Sequence, residues 1–163
     1  MKLNRLAAVL ILAFSSTTYA NSAPGAFPLG PDTSLTPGSL CEHPNKIRYP
    51  EKIPYCSRDV DRSVKLEVMA EYDQKLGYRV TSMNRSDFKI DHYIPLCMGG
   101  SNEPTNLWPQ HKSIFDQTDK LEAEACIKMA QGKLLQAKAV ELMREAKANL
   151  DQVQRIRDYV NGL

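Results

Sequence analysis

Asp91 and His92 stand side by side, and Asn106 follows after a glycine-bearing stretch, Gly99-Gly100-Ser101-Asn102. A histidine near its unperturbed pKa of ~6.5 can take a proton from water at neutral pH. A carboxylate and a neutral amide oxygen are hard ligands suited to a divalent cation, which stabilises charge on a phosphoryl centre and on its departing oxygen. The three side chains together could therefore hydrolyse a phosphodiester, with His92 activating water and Asp91 holding the ion. Neighbouring residues of an ideal strand point to opposite faces, so this division of roles suits the end of a strand. Asn106 has two readings that stay open here: a metal ligand, or a side chain that pins the intervening loop by bonding to backbone groups. Each piece has an ordinary meaning by itself, since an Asp-His pair is commonly a surface feature, Gly-Gly a turn and Asn a local cap. Their joint order and compact spacing carry the reading.

Elements must bring these residues together. Residues 88–94 alternate in strand fashion and residues 78–81 do so more briefly, so two strands are expected to flank the polar turn Asn84-Arg85-Ser86-Asp87. A loop follows Pro95. Beyond Trp108-Pro109 the pattern turns helical, with Thr118 as the expected cap and Leu121, Ala125, Cys126 and Met129 as the apolar stripe up to Gly132. Upstream, Ser57 or Asp59 is expected to cap an amphipathic helix carrying Val60, Val64, Val68, Met69, Tyr72 and Leu76, stopped by Gly77. Residues 134–150 are rich in Ala and Leu and read as helix, a short helix closes residues 152–160, and Trp108 reads as core. The expected fold class is α+β, a small antiparallel hairpin and helix embedded in a mainly helical domain.

The 163-residue chain opens with Lys2 and Arg5, an apolar run of nine residues from Leu6 to Phe14, and small or polar residues up to Ala20. That is the layout of a signal peptide cut after Ala20, and the run is too short for the ~20 residues of a membrane-spanning helix. The mature protein is expected to be soluble, away from membranes, and secreted or periplasmic. Residues 21–40, dense in Pro, Gly, Ser and Thr, read as a flexible linker, leaving residues 41–163 as the functional domain. Losing Lys2 and Arg5 leaves 19 basic against 19 acidic residues, which counts against tight, passive binding of nucleic acid but not against a local basic groove. The four cysteines suggest two disulfides in an exported chain. Of three possible pairings, Cys41 with Cys56 and Cys97 with Cys126 is favoured, the second tying the motif loop to a later helix. No C-x-x-C pair supports a zinc site.

The run Ile90-Asp91-His92-Tyr93-Ile94-Pro95-Leu96, then Gly99-Gly100-Ser101-Asn102, then Asn106-Leu107-Trp108-Pro109-Gln110 resembles the HNH endonuclease family, which shares the ββα-metal or His-Me finger. The likeness covers residues 88–126, and exported bacterial members show the same Asn-Leu-Trp-Pro variant. It implies His92 as general base, Asp91 as metal ligand and Asn106 as the middle residue of the motif. It implies a metal-dependent endonuclease using Mg²⁺ foremost, with Mn²⁺ or Zn²⁺ as substitutes. The substrate would be nucleic acid, DNA ahead of RNA, held by backbone contacts with little sequence preference. Where many members carry their last histidine this chain has Phe115; the nearby His111 is then a displaced ligand, or a phosphate contact in a site that binds its ion with one acidic residue and one asparagine. Lys112 and Lys120 are the first expected phosphate contacts, with Arg85 next and Arg79 and Lys89 around them. A monomer is expected. Rival readings are a non-catalytic secreted binding module on the same scaffold and a toxin-like nuclease accompanied by an inhibitor protein.

Overall fold

In the computed structural model, which describes residues 25–163, the strand-forming runs pair into two separate antiparallel hairpins with four helices around them. The expected leader, residues 1–20, and residues 21–24 of the expected linker lie outside the described residues. The α+β class is as expected.

The first hairpin, β1 (Lys46–Arg48) and β2 (Ile53–Tyr55), lies inside the loop closed by the Cys41–Cys56 disulfide, whose Cα atoms are 5.7 Å apart. Helix α1 (Arg62–Leu76) follows. Asp61, not Ser57 or Asp59, is its cap, with Oδ1 accepting the Val64 N–H at 2.9 Å, while Gly77 ends it in the left-handed conformation as expected. The second hairpin joins β3 (Phe88–His92) to β4 (Leu107–His111), with Phe88 opposite His111 and His92 opposite Leu107. Helices α2 (Lys112–Ala130), α3 (Gln136–Ala148) and α4 (Val153–Asn161) complete the chain.

Two cores result. Val68, Met69 and Tyr72 of α1 pack with Phe88, Ile90, Leu107, Trp108 and Ile114, while α2, α3 and α4 bury Leu121, Met129, Leu142, Met143, Ile156 and Val160 among themselves. Ile90 belongs to the first core and Ile94 to the second, so Asp91 and His92 cross the seam between them.

Four expectations need correction. Residues 78–81 form no strand: Val80–Ser82 is a turn of 3-10 helix, because the Asp73 carboxylate accepts the N–H groups of Val80 and Thr81 that a ladder would have used. The partner of β3 lies instead beyond the glycine loop. Helix α2 begins at Lys112, capped by the His111 ring, whose Nδ1 accepts the Ser113 N–H; Thr118 is buried within it, its Oγ1 accepting from Gln110 Nε2 at 2.9 Å. Finally, the part of the expected linker described here is packed. Thr36 has no exposed surface and bonds Leu107 O and the Tyr72 hydroxyl, and Gly38 N–H reaches Thr105 O. Satisfied backbone and buried hydroxyl groups supply what large apolar side chains do not.

Candidate active site

The loop between β3 and β4 is shaped by Asn106. Its side chain is fully buried, with Oδ1 accepting Ile94 N–H at 2.8 Å and Nδ2 donating to Ile94 O at 3.0 Å and Ser101 O at 2.9 Å. A Cβ on Gly100 would collide with the Ile94 carbonyl, so only glycine lets the loop fold back this tightly. Of the two readings left open by sequence, the geometry is that of the clip: the side chain is fully buried and bonds backbone groups through both its oxygen and its nitrogen.

This loop sets Asn102 against His92. Asn102 Nδ2 donates to Ser57 O at 2.8 Å, which fixes the amide so that Oδ1 faces His92 Nε2 at 3.1 Å. Nε2 therefore carries the proton and donates it to Asn102, leaving the lone pair on Nδ1, where the Arg58 Nη1 approaches to 3.4 Å. Arg58 also donates to Ile90 O at 2.9 Å and is delivered by the disulfide-closed segment that ends at Cys56. Burial lowers the His92 pKa to about 4, helped by the Arg58 and Lys147 charges and opposed by Asn102 and Asp91, so the ring is neutral near pH 7.

Asp91 faces the other way, towards α2 and α3. Its Oδ2 accepts from Lys147 Nζ at 2.7 Å, and Lys89 Nζ stands 3.6 Å from Oδ1. Burial opposes the charge on Asp91, but the Lys147 and Lys89 ammonium groups outweigh it and hold the carboxyl below its ordinary value. Lys89 also meets the Asp119 carboxylate of α2 at 2.7 Å. Asp91, Arg58, Lys89, Asp119, Glu122 and the Cys97–Cys126 disulfide line a hollow of about 440 Å³. That disulfide pairs as expected and fastens the motif loop to α2.

The remaining expected residues are elsewhere. His111 is at the opposite end of the hairpin from His92, stacked on Phe27 with ring centroids 3.9 Å apart. Lys112 pairs with Asp87 at 2.8 Å and Arg85 donates to Phe88 O at 2.6 Å, both at that same far end. Lys120 is exposed on α2 and is not part of the wall of the hollow. The expected ligand set of Asp91, Asn106 and His111 does not converge, so these donors do not fit a divalent cation. Among the described residues no group of three or more His, Cys, Asp or Glu side chains is arranged to hold one.

Arg58, Asn102, Glu122 and Lys147 are the functional candidates that sequence reasoning passed over. Asn102 carried a signal, a carboxamide directly after Gly-Gly-Ser in the motif; Arg58 and Lys147 carried none, being ordinary surface-type residues far from it in sequence. Compared with known proteins, the chain matches no family model, no curated protein and no solved structure.

Proposed function

We propose that this chain is an exported endonuclease of the HNH type, hydrolysing phosphodiester bonds in nucleic acid, DNA ahead of RNA, with little sequence preference. In this reading β3, β4 and α2 are its ββα finger. The observation that supports it most is the setting of His92: a buried, neutral imidazole, its Nε2 proton fixed by Asn102, with the Nδ1 lone pair beside the guanidinium of Arg58, a residue that lines a charged hollow. Histidine alone is a common residue; a ring held in one tautomer next to a phosphate-binding fork is the arrangement hydrolysis needs.

A phosphate diester drawn to the Arg58 guanidinium takes it from Nδ1 and leaves that nitrogen to a water molecule. The water oxygen forms a bond to phosphorus as its proton passes to Nδ1. The bond from phosphorus to the departing sugar oxygen breaks, and Lys89 gives that oxygen a proton that solvent restores. The low pKa of His92 keeps it ready as a base at neutral pH and lowers its appetite for the proton.

The two disulfides and a leader-like start support export. Among the described residues no helix is long and apolar enough to cross a membrane. A second reading, a non-catalytic binding module, draws on one observation: Asp91 is neutralised by Lys147 and so has no free charge for an ion.

Digestion of plasmid, single-stranded DNA and RNA by the wild type and His92→Ala tests the proposal. Loss of about 100-fold or more in rate is expected for the variant. Equal cutting by both proteins rejects the mechanism, and nucleic-acid retention without any cutting favours the binding module.

A further inference from the structure

Lys147 reaches Asp91 from the penultimate position of α3, and its side chain has no solvent exposure. Nζ donates to Asp91 Oδ2 at 2.7 Å and to the His92 carbonyl oxygen at 2.6 Å, with Glu122 Oε2 at 3.7 Å. Two oxygens from β3 and one from α2 therefore surround a single positive centre, as they would surround an ion. An ammonium has N–H donors and no lone pair, so two of these oxygens accept hydrogen bonds from it and the third adds a longer charge contact. Burial would strip the proton from Lys147, but the Asp91 and Glu122 carboxylates outweigh it and keep the amine charged.

Gly30 lies against the Lys147 carbonyl with no room for a Cβ, so the end of α3 is blocked from outside. Lys147 is not part of the wall of the 440 Å³ hollow, whereas Arg58 and Lys89 are. A divalent cation at Asp91 would have to share the carboxylate with a fully buried ammonium, against direct charge repulsion.

We infer that the Lys147 ammonium is the resident cation of the Asp91 site, which takes no divalent metal. Resting on the nuclease reading above, phosphodiester cleavage then proceeds without metal. Lys147 is a positioning residue that neutralises Asp91 and holds the His92 main chain, and Arg58 and Lys89 are the cations that meet the phosphate.

The test is titration of the intact, oxidised protein with Mn²⁺, followed by electron paramagnetic resonance, beside cutting assays with and without EDTA. The wild type is expected to take up no Mn²⁺ at this site and to cut equally under both conditions. Lys147→Ala should free Asp91 and Glu122 and gain a Mn²⁺ site that the added change Asp91→Asn abolishes. Lys147→Met, isosteric and uncharged, should lower kcat by about 100-fold with little change in KM, as for a displaced catalytic group. In the same variant the His92 ring should titrate at higher pH by NMR, a shift that a purely structural role would not produce. Uptake of one Mn²⁺ by the wild type that Asp91→Asn removes overturns the inference, as does wild-type cutting that stops in EDTA. If the wild type cuts under neither condition the nuclease reading falls, and the wild-type Mn²⁺ titration, which needs no variant to fold, still decides which cation the site holds.

Discussion

At the scale of single residues, His92 shows how burial and chemistry are linked. Its pKa of about 4 in the folded chain stands against the ordinary 6.5. Between those values the unfolded chain binds a proton that the folded one refuses, so stability falls as pH drops from about 6.5 towards 4 and levels off below. The full effect is about 3 kcal/mol, because each pKa unit is worth about 1.4 kcal/mol. Urea unfolding at pH 7.5 and pH 4.5 should show this loss in the wild type and a smaller one in His92→Gln. The same pH dependence in both proteins would refute the assignment. The position of His92 at a strand end was legible from alternation and from its neighbour Asp91. Its partner Arg58 was not, because nothing local in a Cys-bounded, Pro-rich segment says which later strand it will touch.

At the scale of elements, the β3–β4 hairpin was half legible. Residues 88–92 alternate clearly, but the partner strand contains Pro109, which argues against a strand in the middle of a sheet. Here each strand has only one neighbour, and Pro109 opposite Ile90 is tolerated on an edge. The competing alternation at residues 78–81 is only four residues long, and the Asp73 side chain captures its backbone. The loop that joins β3 to β4 depends on the three bonds of Asn106. Asn106→Ala should lose about 2–4 kcal/mol, since it leaves buried Ile94 and Ser101 groups without partners. Asn106→Asp should destabilise as well, because a carboxylate cannot donate to the Ile94 and Ser101 carbonyls. A metal ligand would behave oppositely, so an unchanged melting temperature with new Mn²⁺ binding in Asn106→Asp would contradict the clip.

At the scale of the whole molecule, helix α1 followed from apolar spacing, α3 from its Ala and Leu content, and two disulfides from the even cysteine count, in the pairing favoured among three. The packed course of residues 25–40 did not, since composition reports how little apolar area a segment offers and is silent on the hydrogen bonds it will find. Thr36 is the point of attachment: it reaches Leu107 O at 2.8 Å and Tyr72 Oη at 2.7 Å, and burial pushes the Tyr72 phenol up to about 12. Thr36→Val keeps the shape and removes both bonds, so thermal unfolding should show a loss of about 1–3 kcal/mol. A change within error would mean that the segment rests on the domain without supporting it.

One staple borders the hollow, and the other closes the segment that leads to one of its lining residues. Arg58 follows Cys56 by two residues, and the Cys97–Cys126 bridge forms part of the wall itself. Closing these loops stabilises the fold by about 3 and 4 kcal/mol on chain-entropy grounds. On the nuclease reading proposed above, a freshly made copy whose thiols are still reduced would lack the bridge that forms part of the wall, so its activity would be withheld until the protein meets an oxidant. Treatment with dithiothreitol should therefore abolish cutting, and air reoxidation should restore it; undiminished digestion by the fully reduced chain would show that this safety catch does not exist.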